Sequence, residues 1–480
     1  MPITQIIITN YAENDYLCTQ FNPLSTFTFM LYTTNKYSAH YNTLLRLGLP
    51  LVVGQVGTIV LGFADTLMVG HHSVAELAAA SFVNTIMAIV IVLALGFSYG
   101  LTPIIGQYYG RGETAGIGNI LKNGLLAATS LSMLLVAVLL AVYYCIHLMG
   151  QPEELLPLMR PYLIVNIISL PCVCWFNAFK QFFDAIGHTK TSMYIMLLGN
   201  LLNIIGNYLL IYGPSVFPEL GLLGAGISTM FSRFVMFATA AWVFFRFKRY
   251  AMFSAAFRNS RASQAEFCTI NRQSWPVALQ MGMETSAFAL TGIMVGWIGT
   301  TALATHQIMI TVSQLFFMVY YGIAAAVSVR ISYFIGQGEY RQLRAVAAAG
   351  FHITLLVAAV VAVPVFFLRN EIGYWFADSA EVAQACAPVL ILMIVYQFGD
   401  GMQCIYANAL RGTAYVKPMM YIAFFAYFII SLPTSYILGI HCGLGITGIW
   451  TAFPICLLVA GVLYYTFFRK KVAELLSHEE

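Results

Sequence analysis

Long unbroken runs of apolar residues dominate this sequence. One of them reads FVNTIMAIVIVLALGFSYGL, and similar runs recur along most of the 480 residues. A transmembrane helix needs about 20 predominantly apolar residues, whereas a membrane β-barrel shows shorter segments of alternating polarity. We count twelve runs that are long enough to cross a bilayer as helices. Their approximate bounds are 46–70, 77–105, 119–148, 160–185, 192–213, 222–246, 272–297, 302–333, 345–368, 383–411, 417–440 and 446–468.

The composition excludes most soluble functions. Hydrophobic residues make up 60% of the chain and charged residues only 9%, against roughly 25% charged residues in a soluble domain. So few charges cannot cover a soluble surface, which excludes a soluble enzyme and a nucleic-acid-binding module. We therefore expect an all-α integral membrane protein that is surrounded by the lipid bilayer and has no nucleic-acid partner. Nine scattered cysteines, several of them inside apolar runs, indicate packing residues.

The distribution of positive charge predicts the orientation. Twenty of the 23 Lys and Arg residues lie before the first span, in the even-numbered loops or in the tail, when the adjoining ends of the flanking helices are included, whereas only Arg160 and Arg369 lie at the odd-numbered loops. Positive charge accumulates on the cytoplasmic side of membrane proteins. We therefore predict a multi-pass protein of the inner (plasma) membrane with both termini in the cytoplasm.

The two halves of the chain are related by a constant shift of 226 residues. This shift aligns Pro50 with Pro276, Gly96 with Gly322, and the segment QYYGRGE with YFIGQGE. Each half contains six spans, so both halves begin on the same side of the membrane. The repeat is therefore parallel, with an axis along the membrane normal. Two such bundles leave a cavity between them, which is typical of a transporter, although a repeat alone also permits a channel.

The repeat and the charge distribution together divide the chain into five segments. We expect an N-terminal extension without order or function, an N-lobe of six helices, a basic cytoplasmic linker, a C-lobe of six helices and a cytoplasmic tail. Their bounds are 1–41, 42–248, 249–271, 272–468 and 469–480. Met30 precedes the first span and is an alternative start of the protein.

Three of the 19 acidic residues lie well inside predicted spans, namely Asp65, Glu284 and Asp400. An ionisable side chain in the membrane costs at least about 2.5 kcal/mol, so each is a functional candidate. Asn203 and Asn207 share one face of span 5. Carboxylate and amide oxygens suit a Na⁺ site or a proton relay, while the asparagines could also serve only to join helices. We predict that Asp65 lies within direct or water-bridged hydrogen-bond reach of at least one of these asparagines.

The C-lobe carries the other two acids. Glu284 lies near the middle of span 7, and Gln280 and Phe288 share its face, while Asp400 lies in span 10. We predict that both acids face one polar cavity, where a bound proton, metal cation or cationic substrate would relieve their mutual repulsion. Asp184, at the end of span 4, is either a supporting residue or a solvated carboxylate at a helix end.

Two further polar residues have open interpretations. Arg233 in span 6 either extends to the membrane interface or pairs with an acid. His306, near the start of span 8, either packs at a helix end or carries protons.

Several segments resemble the multidrug and toxic compound extrusion (MATE) family. The stretch VGQVGTIVLGFADTLMVGHHSVAELAAAS resembles the opening helix and loop of that family. The segment TTALATHQIMITVSQLFFMVYYGIAAAVSVRISYFIGQGE is similar to its seventh loop and eighth helix. ALRGTAYVKPMM and LGITGIW look like its C-terminal motifs. The resemblance covers about residues 42–468, which is nearly the whole chain.

The resemblance also implies a site and an activity. Glu284 in METSAF and Asp400 in YQFGDGMQ fall on the acids of the NorM-like branch. Asp65 falls on the family's acid in helix 1, and Asn203 and Asn207 fall on its N-lobe cation site. The implied protein has twelve helices in two lobes around a V-shaped cleft. It exports small organic, often cationic and aromatic, compounds by alternating access against inward Na⁺ or H⁺. We expect a monomer without a cofactor other than the coupling ion.

Other function classes fit the residues less well. A lipid-linked oligosaccharide flippase of related architecture stays open as the alternative, but it should line its cleft with cationic residues that bind a pyrophosphate. The deep charges of this chain are mostly acidic. A membrane enzyme lacks a candidate centre, because no DDxxD, HExxH or GxSxG motif is present. An ATP-driven pump lacks the loop GxxxxGK[ST]. Buried titratable acids suit alternating access better than the fast conduction of a channel.

Overall fold

The computed structural model describes residues 23–214, 218–376 and 379–477, with side chains described from residue 37 onward. Within these ranges the regular structure is helical and comprises fifteen α-helices. Their bounds are α1 Pro23–His72, α2 Val74–Tyr99, α3 Leu101–Gly110, α4 Thr114–Cys145, α5 Leu156–Ala185, α6 Thr189–Ile211, α7 Gly221–Arg246, α8 Ala251–Asn259, α9 Gln264–Ile298, α10 Thr300–Gln337, α11 Gln342–Phe376, α12 Ala380–Gly412, α13 Lys417–Ala423, α14 Leu432–Tyr436 and α15 Gly445–Ser477. Short 3₁₀ segments cover Ile146–Met149, Glu153–Leu155 and Lys248–Tyr250, and π-helical segments cover Phe424–Ser431 and Ile437–His441.

These helices account for the predicted spans. Eleven helical segments of the described chain are long and apolar enough to cross a membrane. Two of them, Val74–Gly110 and Lys417–His441, join several of the helices named above. The remaining predicted span is α9, which has 35 residues but includes the polar residues Gln280, Glu284 and Thr291. The all-α membrane architecture predicted from the apolar runs is therefore confirmed.

Buried apolar side chains form two large clusters, one in each lobe. The first draws mainly on residues 69–253 and also includes Ala278 of α9. The second draws mainly on residues 277–472 and includes Leu44 of α1 and Tyr99 of α2. The division into two lobes is thus visible in the cores. The exceptions show that α1, α2 and α9 also pack against the opposite lobe.

Contacts between the lobes follow the repeat, because equivalent residues of the two halves make equivalent contacts. A Cβ atom on Gly96 would lie 2.8 Å from Cα of Ala278, and one on Gly322 would lie 3.1 Å from Cα of Val52. Each residue of the first pair has its counterpart in the second pair, 226 positions away. Paired contacts of this kind arise where two similar units meet across a twofold axis. The structure therefore confirms a parallel repeat.

Helices α3 and α10 cross on this axis. Gly110 and Gly336 are counterparts in the repeat, and a Cβ atom on Gly336 would lie 2.8 Å from Cα of Gly110. The backbones approach this closely because neither residue has a side chain. The crossing lies at the end of the bundle where α1 begins and where the linker lies. We call this end the basic end, because most Lys and Arg residues lie there.

Hydrogen bonds between α1 and the C-lobe also lie at the basic end. His40 Nε2 is 3.2 Å from Gln342 Oε1, and Tyr41 OH is 2.9 Å from His352 Nδ1. These contacts and the glycine crossings hold the lobes together at this end.

The described part of the N-terminal extension is helical. Helix α1 begins at Pro23, so the expectation of a disordered segment does not hold for residues 23–41, while residues 1–22 lie outside the described residues. Tyr37 packs edge-on against His352 of α11, with ring centroids 5.4 Å apart. The segment therefore gains order from contacts with the C-lobe, which its own sequence does not reveal.

The predicted linker, residues 249–271, is also largely ordered. It contains α8, and α9 begins within it at Gln264. Lys122 Nζ of α4 donates to Ser260 O at 2.6 Å, and Asn123 Oδ1 accepts from Ser263 N at 2.9 Å. These bonds attach the linker to the N-lobe.

Candidate functional site

Asp65 lies in a network of amides inside the N-lobe. Asn207 Nδ2 of α6 donates to Asp65 Oδ1 at 2.5 Å. When the amide of Asn203 is oriented so that its oxygen accepts from Thr229 Oγ1, its nitrogen lies 2.9 Å from Asp65 Oδ1 and donates to it. The contact that was predicted between α1 and α6 therefore occurs, with both asparagines in reach of the acid. Thr229 of α7 was not anticipated.

One atom of this network is available to a ligand. Asn207 Oδ1 is buried and has no hydrogen-bond donor among the described residues. Buried oxygens of this kind are rare, because leaving one unpaired costs free energy. A carboxylate, an amide oxygen and a hydroxyl are also the donor atoms that a hard cation prefers. The residues of the N-lobe thus fit a Na⁺ ion or a proton that is shared near Asp65.

Arg233 reaches into the same region. Its NH1 atom donates to Asn166 Oδ1 at 3.1 Å and to Ser169 Oγ at 2.7 Å, both on α5. The guanidinium also interacts electrostatically with Asp65, although no ion pair within 4.0 Å joins them in the described chain. Of the two interpretations left open by the sequence, the structure therefore favours an inward position near an acid.

Glu284 of α9 lies among polar groups of the C-lobe. Gln280 Nε2 donates to Glu284 Oε2 at 3.0 Å, as their spacing of one helical turn predicts. Tyr427 and Gln403 also interact with this carboxylate, and Gln403 Nε2 lies 3.2 Å from Tyr427 OH. Neither Tyr427 nor Gln403 was identified from the sequence. One lies in a tyrosine-rich apolar run, and the other lies on a helix distant in sequence.

Asp400 of α12 is far less satisfied. It is 1% exposed, its Oδ1 has only the weak donor Cys404 Sγ at 3.8 Å, and its Oδ2 has no partner among the described residues. The amide of Gln397, one turn earlier, is also without a partner at both ends. Asp400 and Glu284 repel each other electrostatically. A buried carboxylate in this position needs a proton or a cation.

Aromatic rings surround the two C-lobe acids. Phe288 stacks on Phe453 with ring centroids 4.8 Å apart and an interplanar angle of 12°. Tyr396 lies edge-on to Phe453 at 6.3 Å and interacts electrostatically with both acids. Trp450 packs against Phe453 at 5.2 Å. Phe288 therefore contributes to an aromatic wall close to Glu284, as expected from its position on the same helix face as Glu284.

His306 and Asp184 lie elsewhere. His306 is buried and accepts from Trp450 Nε1 through its Nδ1 at 3.1 Å. Asp184 pairs with Lys180 at 2.9 Å and accepts from Ser192 Oγ. It is 3% exposed, so the interpretation as a solvated helix-end carboxylate is wrong. Asp184 lines a cavity between the lobes at the basic end, which includes none of the three deep acids.

Comparisons with known proteins agree with the two-lobed fold. The MatE family model matches residues 50–209 and again residues 276–437. The multidrug resistance protein MdtK of Proteus mirabilis (strain HI4320) is 29% identical over 444 residues, which cover 90% of this chain and 95% of that protein.

Solved structures show the same fold. A multidrug resistance MATE family transporter of the MOP superfamily in its outward-facing conformation superposes with a TM-score of 0.83, at 20% identity, over 91% of this chain and 97% of that one. A MATE structure in the straight conformation gives a TM-score of 0.84, at 19% identity, over 93% and 99% of the two chains.

Proposed function

The chain belongs to the MATE family of multidrug efflux transporters, and from this membership we propose that it is an antiporter that couples Na⁺ or H⁺ entry to the export of small organic compounds. Members of this family are transporters and not enzymes. The observation that supports the ion coupling is the environment of Asp400. Its carboxylate is buried, one of its oxygens has no partner among the described residues, and the residue repels the neighbouring Glu284.

Coupling follows from competition for the C-lobe acids. In the described chain neither acid has a Lys or Arg ion-pair partner within 4.0 Å, so at least one acid needs a proton, a metal cation or a cationic substrate. A ligand shifts the equilibrium between inward-open and outward-open states only if it binds the two states with different affinity. The coupling ion and the substrate therefore drive opposite transitions when they bind to the same acids.

The aromatic wall suits cationic aromatic substrates. The face of an aromatic ring attracts a cation by about 0.5–2 kcal/mol, most strongly where water is excluded. The stacked pair of Phe288 and Phe453 lies on the C-lobe face that carries Glu284. A flat organic cation would meet both the rings and the carboxylate.

The N-lobe offers a second cation site. Asp65 and Asn207 supply oxygens suited to Na⁺, Asn207 Oδ1 is unpartnered, and Asn203 joins the same network. Arg233 places a fixed positive charge near this site, which weakens the attraction of Asp65 for a further cation. For this reason the C-lobe acids are the stronger candidates for coupling.

The cellular setting follows from the charge distribution. The basic end is placed on the cytoplasmic side of the inner membrane, because Lys and Arg residues accumulate there. With this orientation, we propose that the protein acts as a monomer and that the state closed at the basic end is closed toward the cytoplasm. The deep charges of the cleft are mostly acidic, which suits an organic cation and does not suit the pyrophosphate of a flippase substrate.

The proposal is tested by dye efflux. Vesicles that contain the protein are loaded with a fluorescent cationic dye, and efflux is measured under a Na⁺ gradient and, separately, under a pH gradient. The gradient that drives efflux identifies the ion. Glu284→Gln and Asp400→Asn keep the side-chain shapes but remove the charges, and each should abolish gradient-driven efflux at matched expression.

Glu381→Gln is the matched control. Glu381 lies on α12, the same helix as Asp400, but its carboxylate is exposed and accepts from Thr301 at 3.1 Å. Its variant should transport at the wild-type rate. Wild-type efflux in both Glu284→Gln and Asp400→Asn would contradict the role of the C-lobe pair and would transfer the coupling role to Asp65.

A further inference from the structure

A small cavity lies between the two lobes at the basic end. The end of α5 contributes Lys180, Gln181 and Asp184 from the N-lobe, and the C-lobe contributes Tyr321 and Arg411. The cavity is separate from the deep acids, since none of these lines it. Its polar residues have no role in the proposed cation coupling.

The charges that line this cavity are not balanced. Lys180 is neutralised by Asp184, with Nζ 2.9 Å from Oδ2, and the other oxygen of Asp184 accepts from Ser192 Oγ. Arg411 is 4% exposed and has no carboxylate within 4.0 Å in the described chain. Its guanidinium packs over the ring of Tyr99 at 4.7 Å and donates to Asn408. Because Tyr99 and Tyr321 are the other titratable groups lining the cavity, one positive charge is in excess.

Two buried donors from opposite lobes also lack a partner. Gln181 Nε2 and Arg411 Nε have no acceptor among the described residues, and the exposed fractions of the two residues are 3% and 4%. The oxygen of the Gln181 amide already accepts from Thr102 Oγ1 at 2.8 Å, which leaves its nitrogen as the free group. Unpaired N–H donors that line one cavity with a guanidinium match the acceptor oxygens of an oxyanion.

We propose that this cavity binds a small soluble oxyanion, with a carboxylate or phosphate group that bridges Gln181 of the N-lobe and Arg411 of the C-lobe. Such an anion satisfies the two free donors and the excess positive charge at once. A ligand that contacts both lobes binds most strongly when the lobes are together at this end. The anion therefore favours the conformation that is closed at the basic end.

The test is a binding measurement on the purified full-length chain in a non-ionic detergent. The unfolding temperature is recorded at pH 7 during titration with sodium phosphate or sodium acetate, while sodium chloride keeps the Na⁺ concentration constant. The wild type should show a saturable rise with at least one of the two oxyanions, since a ligand that binds only the folded state raises its stability. Transport is not measured, so failure here would leave the proposed efflux function unaffected.

Two variants test the bridging residues. Gln181→Glu keeps the acceptor for Thr102 but places a fixed carboxylate in the cavity that Arg411 also lines, so it should weaken the apparent affinity for the added anion by about tenfold or more. Arg411→Gln removes the positive charge and should have the same effect. Arg469→Gln, at an exposed arginine outside the cavity, is the matched control and should retain the wild-type rise.

The proposal is overturned if neither oxyanion raises the unfolding temperature of the wild type beyond chloride. It is equally overturned if Gln181→Glu responds to the anions as the wild type does. Gln181→Glu decides the question alone if Arg411→Gln does not fold.

Discussion

Asp65 is surrounded by hydrogen-bond donors, whereas Asp400 has almost none. The hydropathy of the chain identifies both residues, because an acid within an apolar run is conspicuous. It does not identify their environments, since Asn207, Thr229, Tyr427 and the other neighbours lie on helices distant in sequence. The donors around Asp65 stabilise its ionised form. Asp400 lacks such donors. A bound proton or cation therefore stabilises Asp400 more than it stabilises Asp65.

The amides on the face of α6 provide a test of the N-lobe network. Asn207→Leu removes the donor to Asp65 and should lower the free energy of unfolding by about 1 kcal/mol, because hydrogen bonds within membrane proteins have modest net values. Asn200, two turns earlier on the same helix, has a buried Nδ2 without a partner among the described residues. Asn200→Leu is therefore the matched control and should be neutral or stabilising. Thermal unfolding of both purified variants measures the difference, and equal losses would refute the role of the bond to Asp65.

The eleventh span is the least regular helical element. Its apolar run predicts a membrane span, but two of its parts, Phe424–Ser431 and Ile437–His441, are π-helical. Hydrophobic periodicity over so short a stretch does not separate a π-helix from an α-helix, and π-helical turns often occur at functional sites. Tyr427 lies in the first of these turns and contacts Glu284 and Gln403. The sequence therefore locates the element without the detail that brings Tyr427 to the acid.

The turn between α5 and α6 is attached to the linker by a pH-sensitive contact. His188 Nδ1 is 3.2 Å from Tyr250 OH, and burial together with the nearby charge of Arg249 lowers the pKa of His188 from 6.5 to about 4. The folded state thus favours neutral His188. The contribution of neutral His188 to the stability of the folded state is complete above pH 6.5. It is lost as the pH falls from 6.5 toward 4, because the unfolded chain binds the proton at a higher pH than the folded chain does.

This linkage predicts a steeper acid-induced fall in the unfolding temperature for the wild type than for His188→Gln, whose side chain does not titrate. The difference should develop between pH 6.5 and 4 and should be absent between pH 7 and 8. Parallel curves for the two proteins throughout the acid range would contradict the assignment.

The relation between the lobes is the property of the whole molecule that the sequence predicts best. The offset of 226 residues is preserved where the lobes meet. The amino-acid sequence alone therefore identifies Gly96 and Gly322, and likewise Gly110 and Gly336, as equivalent positions of the two lobes. The cavity at the basic end was not predictable in this way. Its charged residues Lys180 and Arg411 lie in the segments where the repeat is weak, and their proximity depends on how the two lobes dock.

The crossing at the axis gives a test of the closed state. In Gly336→Ala the new Cβ atom would lie 2.8 Å from Cα of Gly110, too close for the backbones to stay in place. Overpacking of this kind costs about 1–3 kcal/mol. The conformation closed at the basic end should lose population accordingly, and dye efflux should fall. Gly296→Ala on α9, where an added Cβ atom meets nothing within 4 Å, should leave efflux unchanged.

The symmetry of the crossing makes the experiment sharper. Gly110 and Gly336 are the two sides of one contact, so Gly110→Ala should reduce efflux to the same extent as Gly336→Ala. Substitutions that disturb one shared contact are not additive. The double variant should therefore lose little more activity than either single variant, because the lobes have already separated. Additive losses would show that the two glycines act in different places, and the axial crossing would then not be the contact that closes the molecule.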